Sequence, residues 1–452
     1  MKRIESRYVR ILFKITIFLC IITLVKHILP PLSPVRAEEN NEANKNYVIS
    51  SFRSINSKAG IILCTESGSI LYSQNPNVGF VPASVIKVLT SLSARHYLGD
   101  DYRFTTDFFI DGGVQNGEAS NRAFKPDSSA INLKIKGYGD PLFTSAIIHD
   151  SCRQVSLILK SMNIAVINDL IVDNTFFAPD IKIDGTSNTH NPYDAFVGSL
   201  SANFNTVSFK YNNDKKEYVS DDLEIPILPF VMNRVKSSWF REGRVILSEQ
   251  ESKIYAGMLI HYFLSQEGII IKGQVKAGVV TAADKPVYKV TSPYDINEII
   301  RRLLKYSSNF MANQLFLSAG AKAFSPPATV EKGVAAMARY ANRVVGISLS
   351  DNFRFTEGAG LSRQNRISPS DMVKILGIFR KDYQLMKNET VSDGCVEYYK
   401  TGTLTGVKTR CGYLQTSRGL YPFVIMINEL GIGYDKMRQF LWRTVLAHED
   451  KK

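Results

Sequence analysis

Three short patterns in a fixed order contain the residues of this chain that could make and break a covalent bond. They are Ser84-Val-Ile-Lys87, Ser307-Ser-Asn309 and Lys400-Thr-Gly402. A serine hydroxyl becomes a nucleophile when a neighbouring base removes its proton. A lysine can be that base when burial or another cation lowers its pKa. Each pattern alone is common, so only their order and surroundings indicate a catalytic site.

Ser84 and Lys87 stand at the predicted start of a helix. Pro82 is followed by apolar residues at helical spacing, which is typical of a first helical turn. Residues three apart share one face of a helix, so the serine and lysine side chains are predicted to be neighbours. Backbone N–H groups at a helix start also favour the negative charge that a serine nucleophile generates. The alternative is an ordinary helix start with a solvated lysine.

Lys400-Thr-Gly-Thr403 lies in a strand-like run that ends at a turn. Gly402 has no side chain, so the backbone of a ligand can approach the strand edge. Lys400 places a cation at that edge, and Thr401 and Thr403 place hydroxyl groups there. This combination suits a substrate with a terminal carboxylate. The alternative is a polar hairpin without a ligand.

Ser307 falls in a region, Asp295 to Ala321, whose apolar spacing predicts a long helix. In the catalytic interpretation its hydroxyl passes a proton between Lys87 and the leaving group, and the Asn309 amide holds the acyl part of the substrate. Ser201-Ala-Asn203 is the strongest competing match to the same pattern.

The elements around these patterns indicate a domain built from both ends of the chain. A hairpin is predicted from Ala59–Cys64 and Ser69–Tyr72. Three strands with glycine at the bends are predicted near the C-terminus: Tyr398–Leu404, Lys408–Gln415 and Phe423–Asn428. Strands from both ends, with helices between them, favour an α/β (α+β) layer.

The middle of the chain has a different pattern of apolar and turn residues. Short alternating segments between turn residues predict the strands Ile131–Lys136, Leu170–Asp173, Thr206–Tyr211 and Glu224–Leu228, with Ile254–Gln266 as the one clear helix. We interpret this part as inserted β-rich domains without a bond-making residue. The predicted boundaries are 1–37 for an export segment, 38–101 and 294–452 for the catalytic domain, and 102–293 for the insertion.

The N-terminus predicts export. A basic start is followed by the apolar run Ile11–Val25 and by Val35-Arg36-Ala37, which fits a signal-peptidase site. A retained anchor that associates the protein with the membrane is the alternative, although the run is short for a span. Loss of residues 1–37 removes seven Lys/Arg and one Glu and lowers the net charge from +13 to +7. The remaining cations are scattered and no nucleic-acid motif is present, so no nucleic-acid partner is predicted.

The cysteines and histidines indicate neither a metal nor a cofactor. Four cysteines lie beyond the export segment, in an oxidising compartment: Cys64, Cys152, Cys395 and Cys411. They allow three pairings that the sequence does not resolve. For Cys64 and Cys411, which lie in apolar runs, a buried free thiol is favoured. No His/Cys cluster has the spacing of a metal site.

With these motifs the chain resembles the class C low-molecular-mass penicillin-binding proteins, the D-alanyl-D-alanine carboxypeptidase/endopeptidase family. The long separation of Lys87 from Ser307 is similar to that family, which fills it with inserted domains. Other motifs that carry the resemblance are Gly137-Tyr-Gly-Asp-Pro141, Asp173-Asn-Thr-Phe-Phe177, Asn191-Pro-Tyr-Asp-Ala195, Asn203-Phe-Asn-Thr-Val207, Gly360-Leu-Ser-Arg363 and Lys400-Thr-Gly-Thr-Leu404.

The resemblance implies a transpeptidase/β-lactamase-like catalytic domain with a five-stranded antiparallel sheet between helices. Ser84 would be acylated and Lys87 would be the base, with Ser307 and Asn309 completing the site and Lys400 anchoring the carboxylate side. The Ser84 and Thr403 N–H groups would form the oxyanion hole. Asp140 and Arg363 would bind the diaminopimelate side chain that some members recognise.

The implied substrates are peptidoglycan stem peptides, the implied covalent inhibitors are β-lactams, and the implied location is the periplasm. Two departures concern substrate preference and packing: Glu357-Gly-Ala-Gly360 replaces the usual Asp-Gly-Ser-Gly, and Asn313 stands where the family has Glu. A β-lactamase and a catalytically silent cell-wall binding protein of the same fold remain alternatives. The sequence leaves open whether carboxypeptidase or endopeptidase activity dominates.

Overall fold

The computed structural model describes residues 58–111, 131–186, 195–221, 225–238, 240–392 and 394–451, which belong to one compact unit. The predicted export segment 1–37 lies outside these residues, as do residues 191–194 of one family motif. Within the described ranges, no helix combines the length and the apolar character that a membrane span requires.

Sixteen strands and nine α-helices lie in the described part of the chain. The strands are β1 (Ala59–Cys64), β2 (Ile70–Gln74), β3 (Arg103–Ile110), β4 (Leu133–Gly137), β5 (Val166–Ile167), β6 (Leu170–Asp173), β7 (Thr206–Asn212), β8 (Glu217–Ser220), β9 (Glu242–Ile246), β10 (Ile270–Ile271), β11 (Val275–Ala277), β12 (Lys285–Asp295), β13 (Lys387–Ser392), β14 (Cys395–Leu404), β15 (Val407–Gln415) and β16 (Leu420–Ile427). The helices are α1 (Lys87–Leu98), α2 (Ser145–Ser161), α3 (Pro229–Ser237), α4 (Glu249–Gln266), α5 (Ile296–Tyr306), α6 (Asn309–Phe324), α7 (Val330–Tyr340), α8 (Pro369–Phe379) and α9 (Asp435–Glu449).

The main sheet joins the two ends of the chain. Its strand order is β13-β14-β15-β16-β1-β2, and every neighbouring pair is antiparallel. The predicted N-terminal hairpin is β1–β2, and the three predicted C-terminal strands are β14, β15 and β16. Five neighbouring strands, β14, β15, β16, β1 and β2, form the antiparallel sheet that the resemblance implies. Strand β13 adds a sixth strand beside β14.

Helices cover this sheet and bury its apolar side chains. One apolar cluster unites Ile62 and Val424 of the sheet with Val88 of α1, Leu315 of α6 and Ile375 of α8. Helix α9 packs against β2 and β16. Helix α1, which follows the candidate nucleophile, packs against α5, α6, α7 and α8.

The middle of the chain has sheets and a core of its own. A five-stranded mixed sheet has the order β11-β6-β4-β3-β12, and smaller sheets are β8-β7-β9 and β10-β5. A second apolar cluster contains Leu133 of β4, Leu159 of α2 and Leu259 of α4.

Two of the three helices in this segment, α2 and α3, were not predicted, and the predicted helix begins five residues earlier, at Glu249. The prediction of a strand at Glu224–Leu228 is wrong for residues 225–228, and residue 224 is not described. Leu228 is the N-cap residue of α3, and its side chain is buried in the second apolar cluster. An apolar side chain at this position is therefore explained by packing at the start of a helix and not by a strand.

The predicted long helix from Asp295 to Ala321 is two helices. Ser307 ends α5 in the left-handed region, with φ 57°, and the Ser308 hydroxyl accepts the Met311 N–H at 3.2 Å to cap α6. Both helices bury apolar residues in the same cluster. Helical spacing therefore continues across a break that periodicity alone does not detect.

Candidate active site

Ser84 and Lys87 meet at the start of α1. Residues Ala83–Ile86 form one 3₁₀ turn, and the α-helix begins at Lys87. The Lys87 Nζ lies 2.7 Å from the Ser84 Oγ. Ala83, just before the serine, has φ 48°, a conformation that costs energy for a residue with a side chain. Such a conformation persists only where neighbouring groups hold it.

Lys87 is fully buried among oxygen atoms. Besides the serine hydroxyl, its Nζ contacts the Asn309 Oδ1 at 2.8 Å and the Ala359 carbonyl oxygen at 2.5 Å. Burial lowers the pKa of Lys87 well below its usual range, and the charge of Lys400 lowers it further, while Glu357 opposes both. A lysine whose pKa is lowered in this way can accept a proton from a neighbouring serine.

The turn that carries Ser84 is held from both sides by backbone. A Cβ atom on Gly402 would lie 2.8 Å from the Ser84 N and 2.3 Å from the Thr409 Oγ1, and one on Gly360 would lie 2.0 Å from the Ala83 oxygen. The Thr409 hydroxyl donates to the Pro82 oxygen at 2.7 Å. Gly402 is therefore required by the contact of β14 with this turn. The role of Gly402 in the approach of a ligand backbone stays a prediction.

One edge of β14 lies beside this turn, and beyond Tyr399 it is open with respect to the described strands. Pairing with β13 reaches from Cys395 only to Tyr399, opposite Lys387. On the other side, Leu404 pairs with Val407 across a two-residue turn. Because hydrogen-bonding direction alternates along an antiparallel strand, every second residue from Lys400 to Leu404 presents its N–H and C=O groups to the open edge.

Lys400 points inward from the same strand and is 2% exposed. Burial lowers its pKa to about 8. Its Nζ donates to the Thr401 oxygen at 2.5 Å, and its charge acts on Lys87. Both lysines thus belong to one site, although no hydrogen bond joins them within the described residues.

Ser307 is half-buried at the junction of α5 and α6, two residues before Asn309. Among the described residues, no hydrogen bond joins its hydroxyl to Lys87 or Lys400. The competing Ser201 lies in the middle segment, where its hydroxyl donates to the Gly198 oxygen at 3.0 Å.

The loop of residues 356–365 supplies the carbonyl that contacts Lys87. The buried Glu357 carboxylate accepts N–H groups from Ala359 at 2.7 Å, Gly360 at 2.8 Å and the Asn365 side chain at 2.8 Å. Asn313 accepts the Gly358 N–H at 3.2 Å. The two departures from the family pattern, Glu357 and Asn313, therefore hold the same loop. Sequence reasoning noted both residues and missed the role of the Ala359 carbonyl.

The two predicted diaminopimelate-binding residues differ in burial and in hydrogen-bond partners. Arg363 is exposed, and its Nη2 donates to the Thr405 oxygen in the turn after β14 at 2.6 Å. Asp140 is 5% exposed, its Oδ1 accepts the Leu142 N–H at 2.8 Å, and burial raises its pKa to about 6.

A Cβ on the neighbouring Gly139 would touch Ser318. Ser318 lies nine residues along α6 from Asn309, or about 13 Å along the helix axis. The described contacts thus place Arg363 at the turn after β14 and place Gly139, the neighbour of Asp140, beside α6. The binding roles of both residues stay predictions.

Among the described residues, the cysteines form no disulfide and no side chains are clustered as a metal site requires. The four cysteines Cys64, Cys152, Cys395 and Cys411 are free and buried. Within the described ranges, no three His, Cys, Asp or Glu side chains are grouped as a metal site would need.

Comparison with known families agrees with this geometry. The model of the D-Ala-D-Ala carboxypeptidase 3 (S13) family matches residues 48–236 and 240–386, well over half of the chain. The chain belongs to this family. Its predicted family and its predicted class, a serine-type D-Ala-D-Ala carboxypeptidase, are thereby confirmed.

Curated relatives extend over most of the chain. The D-alanyl-D-alanine carboxypeptidase DacB of Haemophilus influenzae is 25% identical over 421 residues, which cover 81% of this chain and 84% of that protein. The D-alanyl-D-alanine carboxypeptidase of Actinomadura sp. (strain R39) is 22% identical over 436 residues, covering 81% and 77%.

A solved structure has the same fold. The crystal structure of penicillin binding protein 4 (dacB) from Haemophilus influenzae matches with a TM-score of 0.68 at 20% identity, covering 89% of this chain and 99% of that one. The predicted transpeptidase-like α/β fold is confirmed.

Proposed function

We propose that this enzyme cleaves D-alanyl peptides of peptidoglycan through a covalent acyl-enzyme on Ser84. The observation that carries the proposal is the 2.7 Å contact between the Ser84 Oγ and a fully buried Lys87 amine. A buried lysine with a lowered pKa is a base, and a hydroxyl in contact with it is its natural proton donor.

In the acylation step, neutral Lys87 takes the Ser84 proton while the Ser84 Oγ attacks the carbonyl carbon of the scissile amide. The tetrahedral oxyanion is stabilised by the N–H groups of Ser84 and Thr403, which lie on the turn and on the adjoining strand. Collapse breaks the C–N bond. The leaving amine receives a proton from Lys87 through the Ser307 hydroxyl, and water later hydrolyses the ester.

Substrate orientation follows from the open edge of β14. A peptide that lies along Thr401 and Thr403 forms backbone hydrogen bonds as an added strand. Lys400 and the Thr401 hydroxyl then hold the carboxylate on the leaving-group side, and the Asn309 amide holds the acyl side. Arg363, at the turn after β14, is the candidate for binding a carboxylate on the substrate side chain.

The same site accounts for the other assignments that we propose. A cross-linked D-alanyl–diaminopimelyl bond carries a carboxylate beside the scissile amide, so endopeptidase activity uses the same groups. A β-lactam would acylate Ser84 as an analogue of the peptide, and a similar penicillin binding protein 4 has been solved in complex with a β-lactam. We place the enzyme in the periplasm because of its basic, apolar N-terminus.

We also propose that residues 102–293 form inserted domains between catalytic parts 38–101 and 294–452. Their separate apolar cluster and their own sheets support this division.

Mass spectrometry after penicillin treatment tests the catalytic proposal. We expect one adduct, mapped to the Ser84 peptide, and release of D-alanine from a pentapeptide that ends in D-alanyl-D-alanine. An adduct on Ser201 or Ser307 would overturn the assignment of the nucleophile. Rapid loss of the adduct after removal of penicillin would instead indicate a β-lactamase.

A further inference from the structure

A segment of the middle part of the chain lies directly on the loop that contacts the candidate base. After β6 the chain runs to Asp184, whose Oδ2 accepts the Thr356 hydroxyl at 3.3 Å and also the hydroxyl of the fully buried Ser362. The next residue, Gly185, has φ 82°, and a Cβ there would lie 2.5 Å from the Leu361 carbonyl carbon. Two neighbouring residues thus contact the loop in two independent ways.

The two hydrogen bonds of Asp184 lie on either side of Ala359 in the loop, at Thr356 and at Ser362. The Thr356 N–H donates to the Asn365 Oδ1 at 2.9 Å, which closes the loop at its base. Between Thr356 and Ser362 lies Ala359, whose oxygen is 2.5 Å from the Lys87 Nζ. Gly360, beside it, packs against Ala83 in the turn of the nucleophile. A shift of this loop therefore moves both an oxygen at Lys87 and the support of Ser84.

We propose that Asp184 is a positioning residue for acylation: through Thr356 and Ser362 it fixes the loop whose Ala359 carbonyl orients Lys87. This inference rests on the proposed function, because it concerns the rate at which Ser84 is acylated. Asp184 makes no contact with Ser84 or Lys87 among the described residues, so it acts through the loop. Its carboxylate holds both hydroxyls with charge-assisted hydrogen bonds, which are stronger than neutral ones.

The loop keeps its buried supports, Glu357, Asn313 and Asn365, when Asp184 is changed. We therefore expect a change of position and not a loss of fold. Small displacements matter here because a base and a nucleophile must stay within hydrogen-bond reach for proton transfer. The expected effect is a partial loss of rate, smaller than that caused by removal of Lys87 itself.

The test compares Asp184→Ala, Asp184→Asn and Asp180→Ala in the full chain. Asp180 is the matched control, since it is an exposed carboxylate in the same segment, paired with Lys253 at 3.0 Å. The probe is a small penicillin, so that recognition of a peptide side chain plays no part. Stopped-flow labelling gives the acylation rate constant separately from the constant for non-covalent binding.

For Asp184→Ala we expect a five- to tenfold lower acylation rate constant, with the non-covalent binding constant and the midpoint of thermal unfolding close to wild type. Asp184→Asn, which keeps an oxygen acceptor, should recover most of the rate, and Asp180→Ala should behave as wild type. In a double-mutant cycle, Ser362→Ala and Asp184→Ala should be less than additive, because both remove the hydrogen bond between these two residues.

An Asp184→Ala enzyme that is acylated as fast as wild type would overturn the inference. So would full additivity of the two substitutions, or an equal loss of rate in Asp180→Ala. These results differ from failure of the proposed function, in which the wild-type enzyme itself forms no Ser84 adduct.

Discussion

The surroundings of Lys87 shift its pKa in opposite directions. Burial and the charge of Lys400 favour the neutral amine, whereas the Glu357 carboxylate favours the ammonium. The oxygens of Asn309 and Ala359 hold the ammonium where a proton would be received. This balance is what a base requires, since it must be neutral before the reaction and charged after it.

We predict that Lys87→Arg and Lys87→Ala both lose acylation by penicillin, by about a hundredfold to ten-thousandfold. Arginine keeps the charge but does not give up its proton in proteins, so charge alone should not restore the rate. Labelling kinetics on folded protein measure the effect. Lys374→Arg is the control, because Lys374 is exposed on α8. Substantial labelling of the Lys87→Arg enzyme would contradict its role as the base.

The pH dependence of kcat/KM should be bell-shaped for a substrate with a free carboxylate. Activity should rise as Lys87 loses its proton, because the neutral amine is the base. It should fall again near pH 8, because there Lys400 loses the charge that holds the carboxylate. Since kcat/KM reports the pKa values of the free enzyme, this limb belongs to the unliganded site. A substrate with a C-terminal amide should lack the falling limb, and an identical limb for both substrates would assign it elsewhere.

Lys400→Ala should lower turnover of free-acid substrates by about ten- to a hundredfold, the effect of one lost charge-assisted hydrogen bond of about 1.5–3 kcal/mol. The wild-type enzyme should prefer the free acid over its amide, and the variant should lose most of that preference. Steady-state kinetics on the two substrates decide the matter. If the variant discriminates as well as the wild type, Arg363 becomes the next candidate for recognition of the carboxylate.

At the level of the elements, the site depends on the close contact of β14 with the 3₁₀ turn before α1. Gly402→Ala would place a methyl group 2.8 Å from the Ser84 N and 2.3 Å from the Thr409 Oγ1. The strand and the turn must then separate, and with them the two N–H groups of the proposed oxyanion hole.

We therefore predict a loss of acylation of about tenfold or more for Gly402→Ala, measured by penicillin labelling. Gly377→Ala is the matched control: Gly377 lies in α8 with open space at its Cβ position. That change should leave labelling intact and stabilise the helix by up to about 1 kcal/mol. Normal labelling of Gly402→Ala would show that the strand has room to shift.

Local sequence patterns predicted the strands and hairpins near the active site. They did not predict a boundary between two consecutive elements that have the same periodicity. The β1–β2 hairpin and β14 to β16 follow from alternation and glycine turns. The break at Ser307 does not, because α5 and α6 bury apolar residues in one cluster and keep the helical period. Ser84 and Lys87 were predicted as neighbours from their spacing, whereas the Ala359 carbonyl reaches Lys87 across 272 residues of sequence. No local pattern encodes such a contact.

At the level of the whole molecule, two apolar clusters divide the described chain. One lies between the main sheet and α1, α6 and α8, and the other between the middle sheets and α2 and α4. The resemblance predicted a long insertion but not its contacts with the rest of the chain, which include the apolar cluster of Ala195, Ile246 and Phe310 and the hydrogen bonds of Asp184. Two of our proposals, that residues 102–293 form inserted domains and that Asp184 supports one catalytic loop, can therefore be tested separately.

The two clusters allow a test of that division with a matched pair of substitutions. Leu259 of α4 and Leu315 of α6 are both fully buried, the first in the middle cluster and the second in the cluster that supports α1. Leucine-to-alanine changes at such sites cost about 2–5 kcal/mol of unfolding free energy, so both variants should unfold at lower temperature.

Their catalytic consequences should differ. In Leu315→Ala the cavity lies under the helix that carries Asn309, and acylation per folded molecule should fall several-fold. In Leu259→Ala, acylation by a small penicillin should stay within about twofold of wild type, because no bond-making residue rests on the middle cluster. Labelling rates are measured well below the unfolding temperature and normalised to the folded fraction. A large loss of acylation in Leu259→Ala, at a temperature where the protein is folded, would show that the catalytic site extends into the segment 102–293.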